Sequence, residues 1–204
     1  MNGNGTRGLI VAGVLAAALA GLTAGCEKRA AEQTDEDARQ AIASAQVGAV
    51  ERGKYLVTIV GCNDCHTPLM MGPNGPEPDM SRMLSGHPST LVMPPPPKLP
   101  AGAWEWVGAG TLTAFAGPWG TSYAINLTPD QNTGLGIWTE EMFLNAMKTG
   151  KHMGQSRTIM PPMPWPWYSK MTDEDLKSIY AYLRSIPAIE NLVPDYAPPA
   201  ETAP

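Results

Sequence analysis

Two cysteines two residues apart, followed at once by a histidine, form the most reactive constellation in the chain: Cys62-Asn63-Asp64-Cys65-His66. Two thiols on one helical turn can each add to a vinyl group of the same haem, leaving two thioether bonds. The adjacent imidazole then lies where it can ligate the iron. The spacing therefore predicts covalent attachment of haem c through Cys62 and Cys65, with His66 as proximal iron ligand. Two other chemistries use paired cysteines. A redox dithiol belongs to a βαβ pattern, which the surrounding sequence lacks. A zinc site needs a second pair of ligands, and only Cys26 remains. The motif occurs once, predicting one haem.

The iron needs a ligand on its other face. Two methionines stand in a proline-rich run, Thr158-Ile159-Met160-Pro161-Pro162-Met163-Pro164-Trp165-Pro166-Trp167-Tyr168. Thioether sulfur is soft and stabilises reduced iron, which raises the potential. A stiff, proline-held loop keeps such a ligand in place through both oxidation states. Met163, followed by Pro164 and an aromatic residue, is the favoured distal ligand, and Met160 is its rival. Met70, Met71, Met80, Met83 and Met93 have no comparable setting, and flexible thioethers of this kind commonly fill cores. His87 and His152, the other histidines, would instead make a bis-histidine site.

These groups need elements to hold them. Val47, Val50, Tyr55, Leu56, Ile59 and Val60 give a helical apolar stripe running straight into Cys62. Gly53 inside it weakens the helix by about 1 kcal/mol relative to Ala, a cost that points to close approach by another helix. Thr139, Glu140, Glu141 and Gly150 carry the signals of a short helix with capped ends. The last helix is the clearest. Thr172-Asp173-Glu174-Asp175 caps it, Leu176, Ile179, Tyr180 and Leu183 form one face, and Pro187 ends it. Between Thr67 and Leu135 the chain is rich in Gly and Pro, with Pro94-Pro95-Pro96-Pro97 at its centre, and reads as one long ordered loop. Trp104, Trp106, Phe115, Trp119 and Tyr123 within it call for something large and flat to pack on.

The N-terminus has a different composition. Met1–Arg7 is polar, Leu9–Ala24 is small and apolar, and Leu22-Thr23-Ala24-Gly25-Cys26 follows. A membrane-spanning helix needs about 20 apolar residues; this shorter run reads as an export signal. Small residues directly before Cys26 resemble the lipobox of bacterial lipoproteins, with Thr23 where Leu is usual. That resemblance implies cleavage before a lipidated Cys26 and a lipid anchor on the periplasmic side. Glu27, where Asp is absent, leans towards the outer membrane. Assigning Cys26 to lipid and Cys62 and Cys65 to haem uses all three cysteines. The expected organisation is a signal peptide over 1–25, a tether over 26–46, one domain over 47–190 and a flexible tail over 191–204. A formal net charge of −5 argues against a nucleic-acid partner.

Arg52-Gly53-Lys54-Tyr55-Leu56 before the Cys-x-x-Cys-His-Thr-Pro run resembles the class I cytochrome c family. So does Met-Pro ahead of Met171-Thr172-Asp173-Glu174-Asp175-Leu176 and Ile179-Tyr180-Ala181-Tyr182-Leu183. Asn126-Leu127-Thr128-Pro129-Asp130, Thr133-Gly134-Leu135-Gly136 and Trp138-Thr139 are similar to the cytochrome subunits of membrane-bound alcohol, aldehyde and gluconate dehydrogenases. The resemblance covers Val47 to Pro187. It implies an all-α cytochrome c fold, with first and last helices crossing where Gly53 admits Tyr182, around a covalent haem and with a long Pro/Gly-rich loop insertion. It also implies His66 and Met163 as the axial pair. Many members of that group hold several such domains and a membrane-anchoring tail, which differs from one haem and a lipid anchor. The expected role is a single-haem electron carrier, not an enzyme. Its redox partners would be a dehydrogenase, a respiratory complex or an oxidase. The alternatives are a subunit of a dehydrogenase complex and a five-coordinate haem enzyme or gas binder.

Overall fold

The computed structural model describes the backbone from Leu9 to Pro199 apart from Ala101 and Ala103, and side chains from residue 32 onward. The proposed signal peptide and the Cys26 side chain lie outside the described side chains. The chain divides into two compact units, Met1–Val47 and Gly48–Pro204. In the first, helix α1 (Leu9–Ile59) carries side chains that are all exposed from residue 32 to Val47. Its support there is local: Gln33 donates to Asp37 at 3.4 Å and Gln40 to Glu36 at 3.2 Å, the one-turn spacing at which helix side chains meet. Among the described residues no helix is long and apolar enough to cross a membrane.

In the second unit the end of α1 packs Leu56 and Val57 into the main core. The chain then makes the haem-motif helix α2 (Cys62–His66), hairpin β1 (Leu69–Gly72) and β2 (Gly75–Pro78), and a meander of β3 (Val107–Gly108), β4 (Ala114–Gly117) and β5 (Gly120–Tyr123). Helices α3 (Glu140–Thr149), α4 (Trp165–Tyr168) and α5 (Asp173–Ser185) follow. The N-cap hydroxyls of Thr139 and Thr172 accept from the backbone N–H groups of Met142 and Asp175 at 3.1 Å. Each satisfies a donor that a helix start leaves unpaired. Leu176, Ile179 and Leu183 of α5 are almost wholly buried against Phe143, Ala146 and Met147 of α3. Each such aliphatic side chain contributes about 1.5–3 kcal/mol by leaving water.

Helices α1 and α5 touch at Gly53. A Cβ there would stand 2.8 Å from Tyr182 Cβ and collide with the Ser178 carbonyl, so only glycine permits the approach. Beside it, the Arg52 guanidinium donates through Nε and Nη2 to Asp175 Oδ1 at 3.0 and 2.9 Å.

The all-α expectation is overturned. The described residues hold five α-helices and two small antiparallel sheets. Both sheets lie in the stretch read as loop. The hairpin pairs Leu69 with Pro78 and Gly72 with Gly75, and β4 pairs Gly117 with Gly120 across a turn at Pro118-Trp119. Strands of two to four residues are too short to show alternation, and Ala114, Phe115 and Ala116 are all buried, which removes the period of two altogether. The same Gly and Pro residues that suggest loop are those that close tight hairpins.

The segment expected as a flexible tail is tied down over its described part. Asn191 is buried, Ala197 forms an antiparallel bridge with Thr121, and the Tyr196 hydroxyl donates to the Trp119 carbonyl at 2.5 Å.

Candidate haem site

Helix α1 ends at a left-handed turn on Gly61, and α2 places Cys62, Cys65 and His66 on the next turn. Behind His66 two strands of irregular chain are laced together. Gly86 N–H donates to the His66 carbonyl at 2.8 Å, His87 N–H to Ala124 at 2.9 Å and Leu127 N–H to Leu84 at 2.8 Å. Gly86 has φ +78°, and a Cβ on it would strike the backbone of Ala124 and Ile125. It is glycine because the two segments lie too close for anything larger.

That lacing aims one carbonyl. His66 Nδ1–H donates to Ile125 O at 2.8 Å, because a carbonyl can only accept. The ring is therefore in the tautomer whose Nε2 carries a lone pair, the form in which imidazole binds a metal. Burial holds the His66 ring below its usual protonation range, against the opposing pull of the Ile125 bond. Every buried side-chain nitrogen and oxygen among the described residues has a hydrogen-bond partner, whereas Nε2 has none. The Nε2 edge therefore faces open space rather than packed protein.

That space is a mostly apolar cavity, part of it open to solvent, with Cys62, Cys65 and His66 on its wall. Its lining also includes Phe143 and Met147 of α3, Ile179 and Leu183 of α5, and Phe115, Met160 and Met163. Burial pushes the Cys62 thiol up to about 12 and raises Cys65 as well. Both are thiols at neutral pH, which disfavours a redox dithiol, whose attacking cysteine needs a depressed pKa. Among the described residues no group of three His, Cys, Asp or Glu could hold a metal ion.

The two distal candidates, Met160 and Met163, both line the cavity, and Met163 also packs against the main core. The loop that bears them is held by Ser122, whose hydroxyl donates to the Pro161 carbonyl at 2.6 Å, and by Ile159 N–H, which donates to Gly150 at 2.8 Å. The other methionines considered lie elsewhere. Met70, Met71 and Met80 are exposed, and Met83 and Met93 are half-buried away from the cavity wall. His87 is buried with both ring nitrogens engaged: Nε2–H donates to Leu91 O at 2.9 Å, and Nδ1 accepts from Thr113 Oγ1 at 2.9 Å. It has no free nitrogen for a metal. His152 does line the cavity, edge-on to Trp138 with ring centroids 5.1 Å apart.

Four participants gave no usable signal in the sequence. Ile125 acts through its backbone, which no residue type reveals. Ser122 and Tyr168 act through hydroxyls that reach other elements. Arg157 lines the cavity as its one permanently charged residue among those described.

Known proteins resemble the chain over most of its length. It is 30% identical over 141 residues to the fructose dehydrogenase cytochrome subunit of Gluconobacter japonicus, covering 69% of this chain and 22% of that protein. It is 42% identical over 133 residues to the gluconate 2-dehydrogenase cytochrome c subunit of Pantoea cypripedii, covering 65% and 22%. It is 28% identical over 153 residues to the cytochrome c subunit of a quinone-dependent alcohol dehydrogenase of Gluconobacter oxydans, covering 74% and 24%. The chain thus spans less than a quarter of the length of these relatives. No protein-family model matches it. Relatives of this kind imply haem c, and the site fits that group: an apolar cavity, two neutral thiols on one helical turn and an imidazole with Nε2 towards the open space. The chain is a relative of the cytochrome c subunits of fructose, gluconate and alcohol dehydrogenases.

Proposed function

We propose that this chain is an electron-transfer protein holding one haem c through Cys62 and Cys65, with His66 as proximal and Met163 as distal iron ligand. What carries the reading is that one apolar cavity collects both thiols, the Nε2 edge of His66 and the two methionines of the proline-rich loop. The haem supplies a one-electron couple at that site. The chain's own residues do the rest. Ile125 fixes the His66 tautomer and ring angle. Phe143, Met147, Ile179 and Leu183 give the site an apolar lining, and the proline-rich loop brings both thioethers to it. A haem iron held by both His66 and Met163 would have no open position for a substrate, which fits a carrier rather than an enzyme.

Its redox partners are a dehydrogenase on one side and a respiratory complex, an oxidase or another cytochrome on the other. The dehydrogenase part follows from the named relatives, which also favour a second reading, that the chain serves as the cytochrome subunit of such a complex. Export, removal of residues 1–25 and lipidation of Cys26 place it on the periplasmic side, anchored to the outer membrane, with 26–46 as tether. The mass of the mature N-terminus tests the anchor; an unmodified Cys26 on a freely soluble protein would sink it.

The visible spectrum of the oxidised holoprotein tests the ligand set. A methionine–iron(III) charge-transfer band is expected, abolished in Met163→Ala and retained in Met160→Ala. The reverse pattern would make Met160 the ligand. A high-spin spectrum with ready binding of carbon monoxide would refute the carrier reading. Co-purification with a dehydrogenase in a single stoichiometric peak would favour the subunit reading.

A further inference from the structure

Resting on the reading of Met163 as iron ligand, we propose that Tyr168 is a positioning residue that keeps Met163 in place by latching the methionine loop to the haem-attachment turn. Its hydroxyl donates to the Val60 carbonyl at 2.7 Å. Val60 immediately precedes Gly61, on which the chain turns from α1 into α2. The end of a helix leaves its last carbonyls without intrahelical donors, and the phenol supplies one there; Val60 and Tyr168 both line the cavity.

The loop depends on side-chain ties of this sort. Pro161, Pro162, Pro164 and Pro166 have no N–H, so the segment around Met163 has few backbone donors with which to anchor itself. Its other ties go elsewhere. Ser122 fastens Pro161 to β5, and Ile159 N–H fastens the entry of the loop to the end of α3. Among the hydrogen bonds of the described residues, only that of Tyr168 joins the segment carrying Met163 to the turn that leads into Cys62, Cys65 and His66. Without it the loop can move away from the attachment turn while both of its other anchors hold, and the thioether moves with it.

Imidazole added to the oxidised holoprotein binds iron only when the methionine is off, so its apparent affinity reports the population of that detached state. Tyr168→Phe keeps the ring and removes only the donor. Imidazole is expected to bind it roughly five- to tenfold more tightly than wild type, the effect of one lost hydrogen bond. Tyr180→Phe is the control. Tyr180 makes an equally short bond, to the Trp138 carbonyl at 2.7 Å, but does not line the cavity, and its imidazole affinity should stay within about twofold of wild type. In a Met163→Ala background, adding Tyr168→Phe should change nothing, because the group it positions is gone. Equal imidazole affinities in Tyr168→Phe and Tyr180→Phe would overturn the latch while leaving the ligand assignment standing. A wild-type affinity no weaker than that of Met163→Ala would overturn the ligand assignment, and the latch with it.

Discussion

The wall behind His66 and the loop bearing Met163 both border one cavity and are built on opposite plans. Behind His66, Asn126 and Asn191 are each 2% exposed and use their amides fully. Asn126 accepts from Thr128 N–H and Oγ1–H at 2.9 and 2.7 Å and donates to Ile189 O at 2.7 Å. Asn191 donates to the Ser85 and His87 carbonyls at 2.7 and 2.8 Å and accepts from Ser89 N–H at 2.9 Å. These bonds draw three distant stretches of chain into one buried sheet of contacts behind Ile125. The methionine loop has prolines, exposed Trp167 and a few hydroxyl ties. A buried polar network is costly to break because each orphaned group loses its solvation as well as its partner. A loop latched by single bonds can yield locally. The two sides of the cavity therefore differ in how they fail: the histidine side with the whole fold, the methionine side alone.

The contrast is broken most severely on the histidine side. Asn191→Ala leaves two carbonyls and one amide without partners, and should cost about 3 kcal/mol or more of folding stability by denaturant titration. A change under about 0.5 kcal/mol would mean the network carries little. Acid supplies a second, milder break. Burial lowers His66, His87 and His152 from their ordinary value of 6.5. Each is thus held neutral in the fold while the unfolded chain takes up a proton. Apoprotein stability should be level above that value and fall as pH drops below it, until the depressed folded values are reached. Urea midpoints at a series of pH values read this slope, and His87→Gln should flatten it. Ser122→Ala is the smallest test. Losing the tie to Pro161 should cost about 1 kcal/mol and mainly loosen the loop, seen as faster amide exchange at Ile159 with little change at Leu127. Equal acceleration at both positions would erase the distinction between the two walls.

Much of the site could be read from residue types. Cys62, Cys65 and His66 announce their chemistry by spacing alone, and the cavity that holds them also holds both candidate methionines. The caps at Thr139 and Thr172 and the face of Leu176, Ile179 and Leu183 were equally legible, because helical periodicity survives in a single sequence. Gly53 was legible through its cost. The strands were not. Leu69–Gly72 and Ala114–Gly117 carry no alternation, and pairing partners some distance away decide whether such a run is strand or loop.

The sequence by itself determined which groups are candidates to attach and ligate a haem, since thiol, imidazole and thioether chemistry belongs to the side chain and its spacing. Only the tertiary structure decided that Ile125, a residue chosen by no chemical rule, orients His66, and that Tyr168 ties the methionine loop to the turn before Cys62. The reason is physical: a hydrogen bond to a backbone carbonyl needs no particular residue at the acceptor. It needs only that the fold bring that carbonyl within about 3 Å of a donor, and no local pattern records that distance.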